Sequence, residues 1–438
     1  MQQIIFPFTG NSLIMALVIL VHVFFAFVAT GGLALAFASE WIGCRKDSAF
    51  HDRFALGYVK FLSSMMKLNG VLGVTIVVLL IGLFPVFTTR LYNIFFWPLM
   101  LEVTIFMVMM ASSIAYRLNW ETTKNKGLHI AIGGLAAASA AAAALVINAA
   151  WSFMLTPGTY FSDPGLLKAV FNPAMPASSI HLLLPCVLNA AMFSYIYAFF
   201  KLRKAEAADA AYYSWMADYC GTIFAIGILL QPLSGLSFLF TLKSVDPAIF
   251  TKIVSGSVSR FFWPMAGLAT AAVTASVIYL LSRKKQRAAL LVGGLAALTA
   301  FSFGGYTRER ARKPFLIYGH MYMTGALVTA AAQPATAAQK VKAEPVKTAP
   351  VKPAAKAAPV KTPTVLMSRE QALEKYSCLV CHSYKGEGGT FGPALDQHLL
   401  HHSKEELKNY LKNPPENMPP FEGTEQELDA FVNALKQD

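Results

Sequence analysis

Cys378-Leu379-Val380-Cys381-His382 is the densest chemical pattern in the chain. Two thiols at this spacing can each form a thioether to a porphyrin edge, and the adjoining imidazole is placed to ligate the iron, so CxxCH reads as covalent haem c attachment. A zinc site would need a second ligand pair, and no other Cys lies between 366 and 438. Met418, in the Pro-braced NPPENMPPF, can offer its thioether to the opposite haem face. His398, His401 and His402 also cluster, and read as a solvated face near a helix start.

Other groups are out of keeping with their surroundings. His22 and Glu102 interrupt long apolar runs, His181 opens another and Glu309 follows one, with Met265 at the head of a further run. Ionisable side chains within a bilayer are costly and mark function by default. One such His would read as an interhelical hydrogen-bond donor. Several on different helices, in a chain that already carries CxxCH, read as a set.

The elements that must position them follow from composition. Of 438 residues, 55% are hydrophobic and 14% charged, with a mean hydropathy of +0.48, too apolar for a soluble particle of this size. The net charge of +13 does not indicate nucleic acid, because it is unevenly spread. Residues 366–438 carry −5, and the Ala/Pro/Lys-rich stretch 333–365 carries +5. Eight apolar runs, at about 12–40, 55–87, 95–117, 128–152, 179–202, 214–240, 261–282 and 288–306, are long enough to span a membrane. A weaker run, 315–332, reads as interfacial or re-entrant. The expected fold is all-α: a polytopic transmembrane bundle over 1–332, a linker over 333–365 and a small helical domain over 366–438. The linker could reach on the order of 100 Å if extended. Capping boxes at Ser368/Gln371, Ser403/Glu406 and Thr424/Glu427 are expected to open three helices of that domain. Five Cys exclude a disulfide scaffold, and Cys44, Cys186 and Cys220 read as small buried hydrophobes.

The loops after spans one, three, five and seven hold 13 Lys/Arg against 5 on the alternate side. The bias places the N-terminus and, after eight spans, the C-terminal domain outside a bacterial cytoplasmic membrane, where haem c is attached. No basic n-region or cleavage site precedes the first span, so that helix is expected to be retained. Arg308, Arg310, Arg312 and Lys313 break the bias on the outer side, which suggests a local anionic partner such as haem propionates.

CxxCH, the Gly392-Pro393 turn, the MPP loop and a closing helix resemble class I cytochrome c across the last domain. The resemblance makes His382 and Met418 the axial ligands, a pair suited to electron transfer. Residues 10–318 resemble subunit I of the cytochrome bd oxidase family, through NSLIMALVILVHVFFAFVATGGLALAFASEW, KLNGVLGV, PLMLE, LVINAAW, SSIHLLLPCVLNAAMF, FFWPMAG and GYTRERARKPF. That resemblance implies His22 and Glu309 as ligands of high-spin haem, with Arg312 beside them. It implies His181 and Met265 as ligands of a low-spin b haem, and Glu102 as a proton-channel carboxylate. Two or three non-covalent haems, of b or d type, and a second membrane subunit or a homo-oligomer belong to the same expectation. Three departures stand out. The second channel carboxylate is Met110, the quinol-binding loop between spans six and seven shrinks to TLKSVDPAIFTKIVSGSVSR, and the ninth helix is degenerate.

The three departures fit one exchange, a quinol-docking device lost and a cytochrome c domain gained. The expected function is therefore a membrane oxidoreductase fed by a periplasmic donor such as a soluble cytochrome c, reducing oxygen or another diatomic gas, nitric oxide included. A second reading is an electron-transfer module that exports electrons through haem c without binding a gas. A third is a scaffold carrying haem c alone.

Overall fold

The computed structural model describes residues 11–282, 285–323, 325, 327, 368–376, 378, 382–385, 387–388, 393–414, 418, 421 and 424–436. The linker 333–365, Cys381 and Gly392 lie outside the described residues, as does the side chain of His398. The chain divides into two units, Met1–Arg312 and Lys313–Asp438.

The first unit is built from α1 (Asn11–Lys46), α2 (Ala49–Leu83), α3 (Pro85–Leu118), α4 (Lys126–Leu155), the short α5 (Leu166–Val170), α6 (Met175–Leu202), α7 (Ala207–Val245), α8 (Pro247–Val254), α9 (Ser259–Leu281) and α10 (Arg287–Arg312). Eight of these are long and apolar enough to cross a membrane, matching the eight expected spans. Their outer faces expose Val71, Val74, Trp97 and Leu233, a surface suited to lipid. The interior is aromatic and small: Phe54, Tyr58, Tyr116 and Tyr195 interlock with Ala36, Ala136, Ala190 and Ala217. Gly31 lets α1 touch α6, because a Cβ there would lie 1.9 Å from the Cys186 carbonyl oxygen. The Tyr58 hydroxyl ties the neighbouring turn by donating to the Ala190 carbonyl at 3.2 Å. Cys186 and Cys220 are buried, whereas Cys44 is exposed, so the expectation of burial fails for Cys44 at the solvated end of α1.

Prolines shape the helices where the chemistry-bearing residues sit. Pro98 has no amide hydrogen for the fourth carbonyl before it, and α3 bends at Phe95 (φ −108°, ψ 18°) about two turns ahead of Glu102. The segment between spans six and seven, expected as a loop, is mostly helix. α7 continues to Val245, and Asp246 then caps α8 by accepting the Ala248 amide at 2.9 Å, with Pro247 fixing its first turn.

The described part of 315–332 is an antiparallel pair, β1 (Phe315–Ile317) with β2 (Met321–Tyr322), and not a re-entrant helix. Gly319 at φ +70° supplies the turn. Beyond it, the C-terminal domain comprises α11 (Arg369–Lys375), the β3 (Ser383–Tyr384) and β4 (Glu387–Gly388) pair, α12 (Leu395–His401), α13 (Lys404–Lys412) and α14 (Glu425–Leu435). All three expected capping boxes form, with side chain and backbone bonding reciprocally at Ser368/Gln371, Ser403/Glu406 and Thr424/Glu427. α11 and α13 pack on α14 around Leu373, Leu407, Leu428 and Phe431.

Candidate functional site

In the C-terminal domain the His382 Nδ1 lies 2.8 Å from the Pro393 carbonyl oxygen. A carbonyl only accepts, so Nδ1 carries the hydrogen and Nε2 keeps its lone pair for a metal. Cys378 and Met418 both border the domain core, next to Tyr376 and Phe421. Phe421 is fixed by its amide bond to the Leu411 carbonyl at 2.8 Å and stacks on Phe431, so the chain around Met418 is anchored from one side. His402 is not a free ligand, since it faces Glu406 at 3.8 Å and packs on Tyr410.

In the membrane unit His181 is held in the same manner. His181 Nδ1 lies 3.1 Å from both Ser234 Oγ and Gln231 Nε2, and Ser234 Oγ donates to the Gln231 carbonyl at 2.8 Å. These two side chains of α7 hold Nδ1, so Nε2, which makes no hydrogen bond among the described residues, is the nitrogen left to face a metal. Pro185 leaves the His181 carbonyl without its helical donor, and Gln231 Nε2 donates to it at 3.3 Å. The ring edge rests on α7, where a Cβ at Gly235 would stand 3.3 Å from His181 Cε1. Met265 Sδ rests on α10 against Gly304, also at 3.3 Å from a would-be Cβ. No contact joins His181 and Met265 among the described residues, as is required of groups that would sit on opposite haem faces. Replacing Ser234 by Ala is expected to weaken haem retention at His181 by about 10–100-fold, measured as the non-covalent b-haem content of the purified protein.

His22 differs. Its Nδ1 is buried with no hydrogen-bond partner among the described residues, a costly state for an imidazole nitrogen that a bound group would relieve. Gly73 of α2 makes room for the ring, again 3.3 Å from Cε1 to a would-be Cβ. Glu309 Oε2 accepts from Arg312 at 2.6 Å, and the Arg312 side chain is 6% exposed. Phe27 of α1 meets Phe301 of α10 edge-on at 5.2 Å. From that contact the chain climbs about 7.5 Å to His22 and about 12 Å to Glu309, so both lie on one side of it on adjoining helices. Arg308 donates to the Trp151 carbonyl and lies over its ring at 5.0 Å. Asn148, one turn earlier on α4, donates to Ser178 and Ser179 of α6 at 2.8 and 3.0 Å. α4 thereby fixes both α10 near Glu309 and α6 near His181. Glu102 is half-buried on α3 and bonds to no described residue, and Met110 packs on the apolar core.

The donor set suits haem: imidazoles with one nitrogen secured or unsatisfied, a thioether and a carboxylate, each against a glycine or an arginine. Gln231, Ser234 and Gly235 went unrecognised in the sequence, although Pro185 four residues after His181 signals a carbonyl in need of a donor.

Residues 12–253 match the family model of cytochrome bd terminal oxidase subunit I, and residues 366–433 match that of cytochrome c oxidase, cbb3-type, subunit III. Among solved structures the chain is similar to the bd oxidase from Geobacillus thermodenitrificans, with a TM-score of 0.62 and 18% identity over 68% of this chain and 85% of that one. No curated protein matches. The two family matches imply a covalent haem c and b-type haems. Matched over more than half its length, the chain belongs to the cytochrome bd terminal oxidase subunit I family, and with its cytochrome c domain it is a membrane haem oxidoreductase.

Proposed function

We propose that this protein is a terminal oxygen reductase of the bacterial cytoplasmic membrane that takes electrons at its cytochrome c domain, on the periplasmic side, and not from quinol. The carrying observation is the buried Nδ1 of His22, which has no hydrogen-bond partner among the described residues. The bound haems, one covalent c and two or three b or d, would supply electron transfer and an open coordination position for a diatomic gas.

The chain's own residues divide the remaining work. His181 and Met265 would hold a low-spin haem, with Ser234 and Gln231 fixing the imidazole. His22 and Glu309 would hold the high-spin site, where Arg312 restrains the carboxylate at 2.6 Å. Arg308 and Arg312 would offset propionate charge. Glu102, below the bend at Phe95, would deliver protons. Cys378 and Cys381 would make the thioethers, and His382 and Met418 would hold the iron. A second membrane subunit or a further copy would complete the assembly, and a soluble cytochrome c would serve as donor.

The short segment at α8 favours this electron source, because a compact helix replaces the loop that docks quinol in the family. The test is oxygen uptake by purified protein with a reduced soluble dye or cytochrome c, compared with a quinol. Uptake from the first two and little from quinol is the expected result. Equal or faster uptake from quinol overturns the proposed donor. No uptake from any donor, despite b-haem bands that reduce fully, overturns the oxygen reading and turns attention to nitric oxide or to electron export.

A further inference from the structure

At the opposite end of the bundle from His22, three charged groups meet where α1, α3 and α4 converge. Glu40 of α1 is 0% exposed and His129 of α4 is 2% exposed. His129 Nδ1 lies 2.6 Å from Glu40 Oε1, and its Nε2 lies 2.9 Å from the Tyr116 carbonyl oxygen. Lys126 Nζ reaches the same Oε1 at 2.8 Å and Asp52 of α2 at 3.5 Å, and its side chain is 39% exposed. The Tyr116 hydroxyl stands beside Glu40, and Trp120 closes on the imidazole edge-on at 4.9 Å. Glu40 Oε2 is buried and makes no hydrogen bond within 3.5 Å among the described residues.

These contacts fix a proton count. The Tyr116 carbonyl can only accept, so Nε2 bears a hydrogen. A neutral imidazole would then present a bare lone pair at Nδ1, 2.6 Å from an oxygen that would be equally bare in a carboxylate. That contact requires one proton between Nδ1 and Oε1. The pair is therefore a one-proton store in a low-dielectric setting, faced by Lys126, Tyr116 and Asp52, with the half-exposed lysine as its link to water. The vacant Oε2 is a second acceptor position on the same carboxylate, which lets a proton enter on one oxygen and leave from the other.

We infer that Glu40 and His129 form a proton-exchange site that loads from the aqueous phase at Lys126 and supplies protons to the membrane unit. The supply role rests on the oxygen-reductase reading, whereas the proton count does not. In each cycle the shared proton leaves the pair for an acceptor deeper in the bundle, and a proton from water restores it, with no change in redox state at the site.

Glu40→Gln separates this from a purely structural role. Gln keeps the shape of the Glu40 side chain and one of the two contacts that converge on Oε1, to His129 or to Lys126, while the carboxyl proton is gone. Infrared difference spectra of the full-length protein exchanged between H2O and D2O should show a carboxylate and imidazole signal from the shared proton that Glu40→Gln abolishes. Oxygen uptake in the variant should fall by on the order of 10-fold or more, approaching the ~10²-fold of a positioned acid or base, at unchanged haem content. Lys126→Gln, at the rim, should slow uptake while leaving the infrared signal in place. Absence of an exchange-sensitive signal in the unmodified protein overturns the site. A signal lost in Glu40→Gln with uptake unchanged overturns the supply role. If the unmodified protein consumes no oxygen, the functional reading fails and the infrared result alone decides the site.

Discussion

Replacing His22 by Ala is expected to abolish oxygen uptake from every donor while leaving the haem c and low-spin b bands in place. Loss of a supporting hydrogen bond to a ligand typically costs about 10–100-fold in metal affinity or activity, and removing the ligand itself exceeds that. The structure isolates the effect. His22 contacts α2 at Gly73, whereas the close approach of α1 to α6 is carried two turns further on by Gly31 against the Cys186 carbonyl. His181 is secured separately, by Ser234 and Gln231 of α7. The measurement is a pair of spectra, with and without carbon monoxide, beside the uptake rate. A carbon monoxide-responsive b band that persists in His22→Ala would move the open position to another ligand and remove His22 from the reaction.

The parts of the molecule that were legible in the sequence share a physical cause. Apolar runs of about 20 residues have one stable outcome in a bilayer, and the eight spans formed where the hydropathy put them. Reciprocal caps at Ser403 and Thr424 are equally local, needing only a hydroxyl and a carboxylate three residues apart. The failures were also local, but of the opposite kind. Phe315–Tyr322 is apolar enough to suggest a membrane-seeking helix, yet Gly319 at positive φ turns it into a hairpin. The segment TLKSVDPAIFTKIVSGSVSR lost its loop character to the Asp246-Pro247 cap.

The candidate ligands His22, His181 and His382 stand out because charge in an apolar run and CxxCH are sequence-level signals. The groups that orient those rings do not, because they are long-range in the chain. Ser234 lies 53 positions from His181, and Glu40 lies 89 from His129. A buried Glu at the end of a helix followed by Arg45 and Lys46 looks like ordinary surface charge until α4 is packed over it. Only the fold reveals that Glu40 is interior.

Replacing His382 by Ala is expected to remove dye- and cytochrome c-supported oxygen uptake, by ~100-fold or more, with the covalent haem still attached. Attachment depends on Cys378 and Cys381, which this change does not touch, so the haem c stain on a denaturing gel should be retained. What is lost is the imidazole whose Nδ1 is pinned to the Pro393 carbonyl at 2.8 Å, and with it the strong-field pair that His382 and Met418 would form. The covalent haem would become high-spin, with a lowered potential and a visible spectral change, while the His22 and His181 sites remain intact. A small-molecule reductant that reaches the membrane haems directly should then restore uptake, placing the defect at electron entry. Full activity of His382→Ala with cytochrome c would mean that the donor bypasses the C-terminal domain. The same loss with donor and with bypass reductant would place the damage in the membrane unit, contrary to the separate cores of the two units. Restoration by the bypass reductant alone ties the fused domain to one task, receiving electrons where the family otherwise receives quinol.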